Sequence, residues 1–572
     1  MTAVRRLTTI LLATLAATTL FAQTTRTQAP RTTEAITAET DRDVNDPRAL
    51  RLTLGDAVRT AVQQNLGVQL QNYEYRISGQ NLRAQYGTFD FITDGSIVHA
   101  FDRSPTTNPF QPGGGRSTVL RAGVNQILPT GGFYDVDVRT SRATVVGGGT
   151  FVNPQFGNSV DLTFNQPLLR DFGIDITRRG ITIARNNLGI TEGTFRTAMM
   201  DTVYQTEQAY LDLIYSRRSV GVVKESLFLA RDQARITQIR IDVGASAPLD
   251  ILQPRVTIAT TEEQLISAVA NVRNAEDRLR ALLNLPPAEW DRPIVPADDV
   301  TYTPMTVDFQ QAVTQALANR PEVQQQRLQT ENARVQALFT RNQVLPTLDF
   351  NATYGLQGQA GRRPAVDSSG NPTGGSVSEP YFDTFSQILG LDYPGFTFGF
   401  NVGMPIFNIN ARANARAAEL DLEQSQTFQA QTQQNIAVEV RSAARAVDTF
   451  AQTISATRAA REAAERNVEA ERKRYENGMT TNFQVLEVQQ QLSDARVREL
   501  FALVGYQKAV AAFHRAVGDT LAIHNISTAP PERLEEPGLG RWLDRYNWLY
   551  YGNRVRQNDK TTSNAPTEGT TK

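Results

Sequence analysis

The chain has 572 residues, 58 Lys plus Arg against 59 Asp plus Glu, a net charge of −1 and no cysteine. Balanced charge argues against a nucleic-acid binder, which carries a basic stripe, and the lack of cysteine excludes disulfides and thiolate metal sites. No second long apolar run follows the N-terminal one, so any membrane crossing by the mature chain must be made by strands.

Residues 1–22 read as a signal peptide. Arg5 and Arg6 supply the positive start, residues 7–21 the apolar run, and Ala22 a small residue at the cut site. The run is short and diluted with threonine, which argues against a membrane anchor. Residues 23–49, rich in Thr, Arg and Asp, read as a disordered leader.

Residues 52–86 place Leu54, Ala57, Val58, Ala61 and Val62 at helical spacing, and Gly87 ends the pattern. The period then changes from about 3.6 to 2. Leu120, Ala122 and Val124 alternate with Arg121, Gly123 and Asn125; Val136 and Val138 alternate with Asp137 and Arg139; Val160, Leu162 and Phe164 alternate with Asp161, Thr163 and Asn165. These are half-buried strands with one apolar and one polar face. Residues 89–101 form a weaker strand, 105–116 and 147–157 are loops, and 128–132 form a tight turn. Pro167 marks the return to helix. The helix over 177–239 is roughly 90–95 Å long, and Gly180, Gly189, Gly193 and Gly221 weaken parts of it. After a turn, 249–285 gives a shorter helix, stopped by Pro286 and Pro287. Residues 291–305 are a linker holding Pro293, Pro296 and Pro304.

The second half repeats the plan. A helix over 309–343 leads to strands around 348–354 and 396–402, with a long Gly/Ser/Pro loop at 357–394 between them. Pro405 turns the chain back to a helix over 411–475 of roughly 95 Å. Its Val440, Val447 and Ile454 recur every seven residues, a seam suited to close helix packing. Residues 483–517 are the last long helix. Residues 519–572 are an irregular segment with Trp542, Tyr546 and Trp548, then a polar tail that reads as disordered.

Three anchors recur in the same order in both halves. Leu52 and Ala61 match Val307 and Ala316; Gln166-Pro167-Leu168-Leu169 matches Met404-Pro405-Ile406-Phe407; and 240–253 matches 474–487, with Gly244 on Gly478 and Leu252 on Leu486. The chain is therefore an internal duplication of 50–290 and 306–518. Gly244 and Gly478 are helix-stopping tips, and Thr480 and Thr481 can cap the helix that follows. The two short helices of each half, end to end, match its long one. The strands have an apolar face yet are too few to close alone, which points to a barrel shared between chains. The fold class is mainly α with a membrane β-barrel.

No enzyme constellation is present. His99, His514 and His524 lie far apart and outside metal-ligand spacing. Gly113–Gly115 and Gly147–Gly149 lie between strands, where a phosphate loop does not form. No cofactor is expected.

The duplicated helix-strand-helix plan, the Pro-Leu-Leu and Pro-Ile-Phe turns and the Arg-Tyr-x-x-Gly tip resemble the TolC family of outer-membrane efflux proteins, over about residues 50–520. The resemblance implies a homotrimer whose β-barrel in the outer membrane continues as an α-helical coiled-coil tunnel across the periplasm. It implies a passive exit duct of a tripartite efflux or type I secretion system, with a periplasmic adaptor and an inner-membrane pump docking at tips such as Gly244 and Gly478. Outer-membrane lipid is a further partner and nucleic acid is not. In the family, acidic side chains after the second tip glycine line a periplasmic gate. The matching positions here are Gln484 and Glu487, so one carboxylate is replaced by an amide. The family also links a tip tyrosine to an aspartate, here Tyr475 and Asp250. The alternative is that Asp250 caps a helix and Tyr475 packs between helices. A non-channel coiled-coil surface or adhesive protein is the competing function.

The first half departs from the family in having four strand segments where two are usual. The additional hairpin, 118–145, is expected in the barrel wall, giving six strands per chain and eighteen per trimer. A hairpin folded over the barrel mouth is the alternative.

Overall fold

A computed structural model describes residues 46–105, 107, 113–146, 152–369 and 371–527. The signal peptide, most of the leader and the aromatic tail segment lie outside the described residues. In chain order the elements are β1 (Leu50–Leu52), α1 (Leu54–Gln64), α2 (Leu66–Tyr86), β2 (Ile92–Arg103), β3 (Gly114–Ile127), β4 (Phe133–Val145) and β5 (Gln155–Pro167). Then come α3 (Ile174–Thr177), α4 (Arg179–Asp242), α5 (Leu252–Leu283) and β6 (Ile294–Pro296). The second half supplies α6 (Phe309–Asn319), α7 (Pro321–Asn342), β7 (Thr347–Val366), β8 (Pro372–Ser378), α8 (Asp383–Leu389), β9 (Pro394–Gly403), α9 (Ile409–Glu476), α10 (Asn482–Val517) and α11 (Thr520–Ile523). No helix among the described residues is long and apolar enough to cross a membrane.

The contacts divide the chain into two compact units, and each draws on both halves of the duplication. One comprises residues 1–61, 205–305 and 445–511; the other comprises 62–204, 306–444 and 512–572.

The first unit is helical. Its core gathers Leu213, Leu265, Leu279, Leu283 and Ile294, all fully buried. The expected linker is built into it: β6 pairs in parallel with β1, setting Leu50 opposite Ile294. The buried Tyr210 hydroxyl shares its one proton between the Leu52 carbonyl at 2.9 Å and the Asp298 carboxylate at 3.0 Å. Burial pushes its pKa up, so it stays a donor. The fully buried Glu276 carboxylate accepts from Arg217 at 2.6 Å and Arg280 at 3.1 Å. A buried charge needs such pairing.

The second unit carries the sheet. Its six long strands run β2-β3-β4-β5-β7-β9, each antiparallel to its neighbour, with β8 extending the free end of β7. The additional hairpin, β3 and β4, is hydrogen-bonded between β2 and β5 along its length, so it is part of the sheet and not a cover over it. Its turn is closed by Gly131 N on the Leu128 carbonyl at 2.9 Å, with Gly131 at φ 95°.

Several expectations need correction. The helices read over 52–86 and 309–343 are each broken once, at matched places beyond Leu52 and Val307. Asn65 is extended, and its side chain accepts from Gly67 N at 2.8 Å and Val68 N at 3.3 Å, starting a new helix. Arg320 is extended because Pro321 follows it. The glycines of α4 do not interrupt it. Gly189 and Gly193 instead give room to α7: a Cβ there would stand 2.8 Å from Leu328 and 2.7 Å from Gln325. The stretch 357–394 is not a plain loop, since β7 continues to Val366 and is followed by β8 and α8. Its glycines hid the period-2 pattern.

Arg320 anchors the helix break. Its guanidinium bonds Glu322 at 2.8 Å and also Glu439. Burial pushes the Glu322 carboxyl up, but the Arg320 hydrogen bonds outweigh it and hold the pKa below the ordinary glutamate value.

Candidate functional site

The two tips end their helices in the same way. Gly244 N bonds the Ile241 carbonyl at 3.0 Å and Ala245 N the Arg240 carbonyl at 2.7 Å; Gly478 N bonds Tyr475 O at 3.0 Å and Met479 N bonds Arg474 O at 2.9 Å. Both glycines are left-handed, at φ 76° and 73°. This paired closure satisfies the last carbonyls of a helix and needs a residue without a Cβ penalty. A Cβ at either would meet nothing within 4 Å, so conformation and not crowding demands glycine there. After the second tip, Thr481 caps α10, its hydroxyl accepting from Gln484 N at 3.4 Å. Thr480 bonds the buried Glu471 carboxylate instead.

The tips are joined by the side chains of Gln233 and Asn482, which the sequence did not single out, and of Arg240, which it marked only as a matched tip position. Gln233 donates to the Asn482 side chain at 2.7 Å, and Asn482 donates to the Asp250 carbonyl at 3.3 Å. Arg240 donates to the Tyr475 carbonyl at 2.8 Å while its guanidinium lies 4.6 Å from the Tyr475 ring centre. Gln233 and Asn482 carry no pattern that marks them, because a polar residue on a helix is usually solvated.

The family-implied residues lie as follows. Tyr475 and Asp250 are not hydrogen-bonded to each other. The Asp250 carboxylate accepts from Ala247 N at 3.0 Å, a local cap. The Tyr475 side chain is buried, and its hydroxyl has no partner among the described residues. Gln484 and Glu487 are exposed on the first turns of α10, and Glu487 accepts from Gln491 at 3.5 Å. Val243, Leu249, Met479 and Phe483 are exposed apolar side chains at the two tips.

The two faces of the sheet differ in character. Cross-strand partners carry Leu120, Val138, Leu162 and Tyr354 to one face, with Phe396, Phe398 and Phe400 of β9 continuing it. The other face carries Asp94, Arg121, Asp137, Arg139, Asp161 and Asp349. Arg121 forks onto Asp137, with Nε to Oδ1 at 2.7 Å and Nη2 to Oδ2 at 2.5 Å. Asp137 and Asp161 stand beside Gly123 and Gly355, where a Cβ would come within 2.6 Å of each carboxylate. Both outer strands, β2 and β9, are left with an unpaired edge, and every residue of β2 is exposed. Pro167 closes β5, and Pro405 follows β9 on the way into α9.

A family model described as outer membrane efflux protein matches residues 134–285 and 312–519. The outer membrane efflux protein BepC of Brucella suis biovar 1 is 22% identical over 277 residues, covering 48% of this chain and 57% of that protein. The outer membrane protein TolC of Escherichia coli is 24% identical over 376 residues, covering 62% of this chain and 69% of TolC. Among solved structures, the Campylobacter jejuni CmeC outer membrane channel superposes with a TM-score of 0.60 at 15% identity, covering 92% of this chain and 93% of that one. The last comparison speaks to the fold.

Proposed function

The chain belongs to the outer membrane efflux protein family, and on that premise we propose that it is the outer-membrane exit duct of a tripartite efflux or type I secretion system. It makes and breaks no bond; the driving energy comes from an inner-membrane pump, reached through a periplasmic adaptor. Family membership sets aside the reading as a coiled-coil surface protein.

One observation carries the proposal: a sheet whose six long strands have one largely apolar face, one polar face and two open edges. An open edge presents unpaired N–H and C=O groups, which a bilayer does not tolerate. Six is even, so β9 of one copy runs antiparallel to β2 of the next, and three copies close an eighteen-stranded barrel. The apolar face meets lipid and the Asp- and Arg-bearing face lines the pore. The Pro167 and Pro405 turns hand the wall over to the helices.

At the tips, Asp250, Tyr475, Gln484 and Glu487 are the proposed gate, and the apolar residues beside Gly244 and Gly478 the adaptor-docking surface. The gate is held by the Gln233–Asn482–Asp250 chain and by Arg240 on Tyr475. Purified protein tested in planar bilayers provides the check. Discrete single-channel steps from trimers are expected; trimers that insert without conducting overturn the duct.

A further inference from the structure

The apolar face of the sheet is not uniform from end to end. Every second residue of each long strand faces this way, and none of those residues is Asp or Glu. It does carry Arg103, Arg116 and Arg142, and by strand alternation Arg362, one residue past the last β5–β7 pair, where its Nε donates to Ser376 Oγ at 3.2 Å. All four lie at one end, the end away from the turns at Pro167 and Gly403. Each is exposed, and none has a carboxylate within salt-bridge distance among the described residues. Arg116 lies 5.6 Å from the Phe101 ring centre and Arg142 6.0 Å from that of Phe156. By contrast, Arg121 on the polar face is paired with Asp137.

A second feature marks the same level. The segment around α8 folds onto this same face. Tyr381 packs on Phe156 with ring centres 5.6 Å apart and bonds Thr140 at 2.5 Å. Asn158 donates to Thr384 at 2.6 Å, and Gly358 leaves space for the Thr384 carbonyl. The other side of the segment is apolar and open: Phe382 is 76% and Leu389 85% exposed, and Tyr393 is exposed too. An amphipathic segment of this kind, beside cations and above an apolar wall, has the chemistry of an acyl–headgroup boundary.

We propose that this rim binds net-anionic, phosphate-bearing lipid headgroups of the leaflet farther from the helices. Arg103, Arg116, Arg142 and Arg362 take the phosphates, and α8 lies at the boundary with Phe382 and Leu389 turned into the lipid. Arginine suits the role because its planar fork matches phosphate oxygens and is weakly hydrated. The assignment rests on the sheet being a membrane wall, as proposed above.

The test uses the full-length trimer reconstituted in phosphatidylcholine vesicles containing a trace of spin-labelled lipid, either anionic phosphatidylglycerol or phosphatidylcholine. Wild type is expected to immobilise the anionic label preferentially. The variant R103Q/R116Q/R142Q/R362Q is expected to lose that preference, each arginine contributing up to about fivefold, while Arg139→Gln on the polar face keeps it. A fluorophore at Leu389→Cys is expected to be quenched by lipids nitroxide-labelled near the headgroup, and inorganic phosphate is expected not to displace the anionic label. Equal preference in wild type and the fourfold variant, with conductance intact in both, overturns the rim while leaving the duct standing. A wild type that neither inserts nor conducts overturns the duct reading and the rim with it.

Discussion

The sheet and the helical tips store function in different ways. In the sheet, the division between an apolar and a polar face is repeated on every second residue of six strands, so it survives the loss of any one pair. At the tips, the proposed gate rests on a few residues: two left-handed glycines, one asparagine bridge and one arginine laid on a tyrosine. A wall of that kind tolerates averaging, and a gate of this kind would not. Substitutions should therefore act by face in the sheet and by individual bond at the tips.

The largest effect is expected in the wall. Val138→Arg places a charge on the apolar face of β4 and should cost about 2–4 kcal/mol at mid-membrane depth, read by urea titration of vesicle-inserted protein. Arg139→Gln, one residue on and on the polar face, should stay within about 0.5 kcal/mol. Equal costs would break the comparison, because β4 would then have no lipid side.

A second test lies in the sheet-bearing unit but off the sheet. Glu322 has a lowered pKa in the fold, with burial opposing and the Arg320 hydrogen bonds prevailing. A depressed carboxyl contributes stability that is fully present above its unfolded pKa and lost as pH falls through the folded one. The stability of detergent-solubilised protein should therefore fall as pH drops through and below the ordinary glutamate range, by the net of the Arg320 hydrogen bonds over the burial that opposes them. Glu322→Gln should flatten this acid dependence; an unchanged pH profile in the variant would remove Glu322 from the account.

At the tips, Gly478→Ala forces a Cβ into the left-handed region and should cost about 1–2 kcal/mol, seen as more frequent channel opening. Gly221→Ala, inside α4 and with open space around it, should be neutral or slightly stabilising. Smaller again, Asn482→Ala removes the bridge to Asp250 and should shift the open–closed balance by about 0.5–1.5 kcal/mol per copy. Tyr475→Phe is expected to change conductance least, since the hydroxyl it deletes has no partner among the described residues. If Tyr475→Phe opens the channel as strongly as Asn482→Ala, the family-implied Tyr475–Asp250 link acts in a state other than the one described.

Most of the fold was legible because its signals are local and repeated. The period-2 runs placed β3, β4 and β5 within a few residues, and the absence of Gly and Pro over 411–475 marked out α9. The heptad seam is also visible in the structure, where Val440, Val447 and Ile454 are all buried. The helix breaks were less legible. Asn65 looks like any polar helix residue until its side chain turns back onto Gly67 N, whereas Pro321 was a readable signal for the break at Arg320. The 357–394 stretch was missed because glycine suppresses the alternation that betrays a strand, as at Gly358 and Gly361. The tip glycines were readable from their backbone role. The Gln233–Asn482 bridge was not, because it depends on two helices far apart in sequence meeting side by side.

If the added hairpin is part of the membrane wall, alternate residues of β4 face lipid and pore. The native chain has no cysteine, so single substitutions report without background. Val138→Cys and Arg139→Cys should be compared in trimers reconstituted in vesicles, using a membrane-impermeant maleimide and a quencher dissolved in the lipid phase. Arg139→Cys should react with the maleimide and escape the lipid quencher, while Val138→Cys should do the reverse. Equal reaction of both positions with the maleimide, and no quenching from lipid at either, would place β4 outside the membrane and contradict the claim.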